Sequence, residues 1–176
     1  MPPIVKGVLL AVVLLAAAYD LRFRRIPNWL TMSGVVLGLG VNAILFGARG
    51  FGLSALGLLC AFAVYLPLYL IRGMGAGDVK LMAAVGALVG PLHWLGIFLA
   101  TGILGGVVAV LLILGRKRFH QTLFNLAVIG FELCHFRAPA ARDEHVDVRS
   151  SKGLRLPHGA VIAGGCLAYL LFAASR

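Results

Sequence analysis

Apolar residues in this chain come in long unbroken blocks, and polar residues mark the block ends. The blocks cover about 3–20, 28–47, 51–71, 77–90, 92–114 and 157–175. A helix of roughly 20 apolar residues crosses the hydrocarbon layer of a bilayer, about 30 Å thick. The pattern therefore predicts an all-α, polytopic membrane protein with a bundle of about six transmembrane helices. The fourth block is short. From Val79 to Gly90 there are twelve residues, roughly 18 Å at the usual helical rise, before Pro91 interrupts. If that helix reaches the far surface, its Asp78 end lies below the near one. Non-helical backbone such as Gly75 to Gly77 is tolerated at that depth only when buried in protein or lining a wet cavity.

The pattern changes between Gly115 and Leu156. Phe119 to Phe136 mixes Leu123, Phe124, Leu126, Val128, Ile129, Phe131 and Leu133 with Gln121, Asn125 and Glu132, which suits a helix lying on the membrane surface. Arg137 to Lys152 is polar and reads as a flexible loop. The whole chain, 1–176, is expected to be one membrane-embedded domain, with 116–156 as a loop carrying an interfacial helix.

Charge supplies the orientation, because basic loops stay cytoplasmic. Thirteen of the 16 Lys and Arg residues fall on one set of loops, including Arg22, Arg24, Arg25, Arg72, Lys80 and the 116–156 region. Only Lys6, Arg49 and Arg176 fall on the other. Both termini are thus expected on the periplasmic side of a bacterial inner membrane. The net charge of +10 follows from this topology and from contact with anionic lipid, and calls for no nucleic acid. The first block imitates a signal peptide, but the arginines after it favour the opposite orientation.

Composition agrees with the blocks. The chain is 61% hydrophobic and 12% charged, with mean hydropathy +0.99, against roughly 25% charged residues in soluble domains. Cys60, Cys134 and Cys166 are widely spaced and form no CxxC pair. They indicate neither a zinc site nor a disulfide framework. The five histidines, His93, His120, His135, His145 and His158, also lack ligand spacing, so no metal and no cofactor are expected.

Two acids stand out against this background. Asp20 and Asp78 are the only acidic residues before Glu132, and both sit at edges of apolar blocks. A carboxylate near hydrocarbon is costly, so a membrane chain that retains two is expected to use them. Two carboxylates brought together cannot both ionise. One then acts as base on a water while the protonated partner polarises a carbonyl. The bland reading pairs Asp20 with Arg22, Arg24 or Arg25 and Asp78 with Lys80. Asp78 has the more distinctive setting, since Gly75 and Gly77 permit close backbone approach and positive φ. Lys80 and Asn28 are candidates for contact with substrate or for supporting the aspartates. Pro27 is suited to starting the second helix.

Gly75-Ala76-Gly77-Asp78 followed by Val79-Lys80-Leu81, together with Asp20, Arg25-Ile26-Pro27-Asn28 and Leu30-Thr31, resembles the type IV prepilin peptidases. These are GxGD-type intramembrane aspartic proteases of the A24 peptidase family. Arg155-Leu156-Pro157 and Gly159 to Gly165 resemble that family's closing segment. The resemblance implies that Asp20 and Asp78 are the catalytic pair, with Gly75 and Gly77 forming the active-site loop. It implies prepilin or pseudopilin substrates, cleaved at the cytoplasmic face to remove a basic leader. Larger members carry an N-terminal region with paired cysteines that bind zinc and support N-methylation. This chain lacks those cysteines, so methyl transfer is not expected, and its build resembles the short peptidases of tight-adherence (Flp-type) pili. Two other readings compete. A presenilin or signal-peptide-peptidase relative would carry a Pro-Ala-Leu motif that is absent. A small proton- or cation-coupled transporter could use Asp20 and Asp78 as a relay.

Overall fold

The computed structural model describes residues 1–71, 74–115 and 158–175. The expected interfacial helix, the polar loop and Cys134 lie outside the described residues. Among these residues the fold is all helical, with α1 (Pro3–Phe23), α2 (Asn28–Leu70), α3 (Ala76–Gly115) and α4 (His158–Ala174) in chain order. The first three are long and apolar enough to cross a membrane, and α4 is shorter but equally apolar.

Helix α1 opens with Pro3 in its first turn and buries one stripe: Val5, Leu9, Val12, Val13, Ala16, Ala17 and Asp20. That spacing is one face of a 3.6-residue helix. The helix stops at Arg24, which adopts the left-handed conformation (φ 54°, ψ 29°) while its N–H donates to Asp20 O at 2.9 Å. Extended Pro27 (φ −69°, ψ 140°) then caps α2, and Asn28 is its first residue.

Helices α2 and α3 are each broken once. Helical geometry fails at Gly47 (φ 62°, ψ −148°) and at Gly90 (φ 74°, ψ 174°), backbone states open essentially to glycine alone. The arms of α2 fold back on each other, because Asn42 before the break and Ser54 after it reach the same turn of α3. Asn42 Nδ2 donates to Ala87 O at 3.3 Å and Leu88 O at 3.0 Å, and Ser54 Oγ donates to Ala87 O. The reason lies at residue 91. A helical Ala87 carbonyl would accept from the N–H of residue 91, but Pro91 has none, and the break at Gly90 disturbs the next bond as well. Asn42 and Ser54 supply the missing donors in a region where water is scarce.

The first arm of α3 is the centre of the molecule. Every residue from 81 to 90 is buried, which explains why this segment is apolar on all sides. Leu81, Met82, Val85 and Leu88 pack with Leu9 and Val13 of α1, Ile97 of the second arm and Ile162 of α4. Small residues bring the backbones together. A Cβ on Gly57 would overlap the Gly86 carbonyl, and one on Gly165 of α4 would overlap Thr101. The outer surface is apolar too, with Ile44 85% and Leu92 83% exposed, as a lipid-facing surface requires.

Candidate active site

Three buried faces converge at one end of the bundle, and each ends in a polar residue. The α1 stripe ends at Asp20, whose side chain is 8% exposed. The second arm of α2 buries Gly50, Ser54, Gly57 and Ala61 and then Tyr65, which is 3% exposed. Helix α3 contributes Asp78, its third residue, half-buried.

Asp20 is held by the start of α4. The Gly159 N–H donates to Asp20 Oδ2 at 2.8 Å, and the pairing is buried. The approach depends on the missing side chain, since a Cβ on Gly159 would lie 3.0 Å from Asp20 Cβ and 3.1 Å from Oδ2. His158, the first residue of α4, is close enough for the charge of Asp20 to act on it.

Asp78 is held by its own loop. Its N–H and that of Val79 donate to Gly75 O at 3.2 and 3.4 Å, which starts α3. A Cβ on Gly75 would stand 3.2 Å from Asp78 Oδ2, and one on Gly77 would stand 3.3 Å from the Cβ of Ile26 in the α1–α2 connection. Both glycines therefore provide close approach, as expected from sequence. Neither uses the positive φ that glycine permits: among the described glycines only Gly47 and Gly90 have it. What matters at Gly75 and Gly77 is the absent Cβ rather than backbone freedom.

The structure brings Asp20 and Asp78 near enough for their charges to interact, with Tyr65 interacting with Asp78 as well. Lys80 does not serve as the partner of Asp78. Its Nζ donates to Asn28 Oδ1 at 2.9 Å on the exposed rim, tying the start of α2 to the start of α3. Residues two apart on a helix point in different directions, which separates Lys80 from Asp78. The two candidate supporting residues thus support each other.

Tyr65, His158 and Gly159 escaped the sequence reading as site residues. Tyr65 could have been flagged as a polar-tipped residue ending a stripe of small ones, and His158 as the first position after Pro157. Their closeness to the aspartates is purely tertiary. Among the described residues no group of three His, Cys, Asp or Glu could hold a metal ion. A cavity of about 470 Å³ opens at the opposite end, between Phe46, Arg49, Leu53 and His93, and none of the candidate site residues lines it.

One end of a helical bundle whose long apolar helices suit a membrane thus gathers two carboxylates, a tyrosine and a helix N-terminus. Residues 7–110 match the model of the Type IV leader peptidase family, and the chain belongs to that family. Membership makes it a hydrolase of the leader-peptidase kind, with prepilin-type substrates. Neither a curated protein nor a solved structure matches it.

Proposed function

We propose that this protein is an aspartic endopeptidase of the bacterial inner membrane that removes the basic leader from Flp-type prepilins or pseudopilins at the cytoplasmic face, without N-methylation. The observation that carries the reading is that Asp20 and Asp78, 58 positions apart in sequence, lie near enough at one partly buried end of the bundle for their charges to interact. Counting each arm of α2 and α3 separately gives six helical segments, which in this reading all cross the membrane, with both termini periplasmic. The basic residues around Asp20 and Asp78 then face the cytoplasm.

In the proposed reaction one carboxylate takes a proton from water as its oxygen adds to the scissile carbonyl. The other, protonated, hydrogen-bonds the carbonyl oxygen and stabilises the charge that develops there. When the tetrahedral intermediate collapses, the C–N bond breaks and the amine leaves with a proton from the pair. The leader ends as a new carboxylate and the pilin as a new N-terminus, with both aspartates restored. Lys80 and Asn28 sit on the rim, where a substrate helix would enter from the lipid.

Mixing the purified protein with a prepilin and following leader removal tests the reading. Asp20→Asn and Asp78→Asn are each expected to lose about 10²–10⁴-fold in rate, the worth of general acid–base catalysis. Full cleavage by either variant would overturn the two-aspartate mechanism.

A further inference from the structure

The first turn of α4 lies outside the residues matched by the family model, which end at 110, yet it reaches the centre of the site. The bond from the Gly159 N–H to Asp20 Oδ2, 2.8 Å long and buried, crosses 139 residues of sequence. The N–H groups of a helix's first turn have no partner within the helix, so they bind an acceptor placed before them. Here that acceptor is a carboxylate oxygen, and charge-assisted bonds of this kind fix orientation strongly. Asp20 has other constraints on its backbone, since its carbonyl accepts from Arg24 N–H. Its side chain takes its bearing from α4.

The geometry points to Gly159 as a positioning residue for the reaction: its N–H claims one oxygen of Asp20, so that the second oxygen is the one presented to water and to Asp78. This inference rests on the leader-peptidase reading for its catalytic consequence, but the contact itself does not. Glycine suits position 159 because a Cβ there would press on Asp20 Cβ at 3.0 Å and on Oδ2 at 3.1 Å, so that the carboxylate must give by a few tenths of an ångström. A methyl at 159 therefore acts directly on the carboxylate that the N–H holds. Gly165, six residues on in α4, offers the comparison. It is more crowded still, but against Thr101 of α3, and neither aspartate is among the atoms nearest to it.

Two measurements decide the matter. In prepilin cleavage, Gly159→Ala is expected to lower kcat by tenfold or more with KM within about twofold of wild type, the pattern of a group that acts on the transition state only. Gly165→Ala is expected to lower thermal stability while the folded protein keeps its kcat. In full-length protein labelled with ¹⁵N-glycine, one amide proton is expected at low field, absent in Gly159→Ala and moved upfield in Asp20→Ala. Wild-type kcat in Gly159→Ala would overturn the positioning role. A glycine spectrum indifferent to Asp20→Ala would overturn the contact, whether or not Gly159→Ala folds. Failure of the wild-type protein to cleave any prepilin would sink the leader-peptidase reading and the catalytic role with it, while the amide signal still judges the contact.

Discussion

Asp20 and Asp78 have unlike surroundings. Asp20 closes the buried stripe of α1 and accepts from α4, whereas Asp78 folds over Gly75 at the start of α3. The sequence made Asp78 legible because Gly75, Ala76 and Gly77 precede it. Asp20 was legible only through its isolation among apolar residues, and its partner Gly159 was not, since nothing local links positions 20 and 159. At this scale two predictions follow from contacts. Gly75→Ala would bring a methyl to 3.2 Å from Asp78 Oδ2; displacement of a reacting group by a fraction of an ångström is expected to cost up to about 10²-fold in cleavage rate. Thermal unfolding should change little, and unaltered kcat would show that Asp78 does not depend on that loop. Lys80→Ala breaks an exposed bond to Asn28, so chemical denaturation should register no more than about 0.5 kcal/mol. A loss of several kcal/mol would assign the pair a structural role that its exposure does not suggest.

The elements owe their shapes to two glycines and one proline. The break at Gly90 was readable because Pro91 follows it. The break at Gly47 was readable only as a block end, because α2 has no proline near it and glycine alone does not announce its φ. Positive φ was open to Gly75 and Gly77 but occurs at Gly47 and Gly90; a lone sequence does not separate a glycine chosen for its dihedral from one chosen for its missing Cβ. The roles of Asn42 and Ser54 were invisible for the same reason as that of Gly159: their acceptors, Ala87 and Leu88, are more than thirty residues away. Asn42→Leu leaves the carbonyls orphaned by Pro91 short of a donor, and unfolding in detergent is expected to show a loss of about 1–3 kcal/mol. Gly47→Ala forces an L residue into a region costing about 1–3 kcal/mol. The same measurement checks it, with wild-type stability as the contrary result.

At the scale of the whole molecule, the polar residues of the two hydrogen-bonded regions fall at opposite ends. Asp20, Asn28, Asp78, Lys80 and His158 lie at one, while Asn42, Arg49, Ser54 and His93 lie at the other. The helical character of the described residues and the block boundaries were readable because apolar length is a property of each segment alone. Which blocks pack together was not, because lipid and protein interior select the same residues: Ile44 and Leu88 look alike in sequence, yet one is 85% and the other 1% exposed. The proposed orientation predicts opposite reagent access for the two ends. In a cysteine-free background, Arg49→Cys should react with an impermeant maleimide added to intact cells, and Arg22→Cys only after lysis. The reverse result would invert the topology and put the aspartates on the wrong side for a cytoplasmic leader. The bond between Asp20 and Gly159 also has a meaning in time. A ribosome makes Asp20 early and Gly159 only 139 residues later, and chains fold from the N-terminus as they emerge. During that interval Asp20 lacks the Gly159 amide, so under the proposed mechanism a nascent chain carries both acids before the bond that orients one of them. In the proposed mechanism, cleavage therefore waits until α4 has been made and packed against α1.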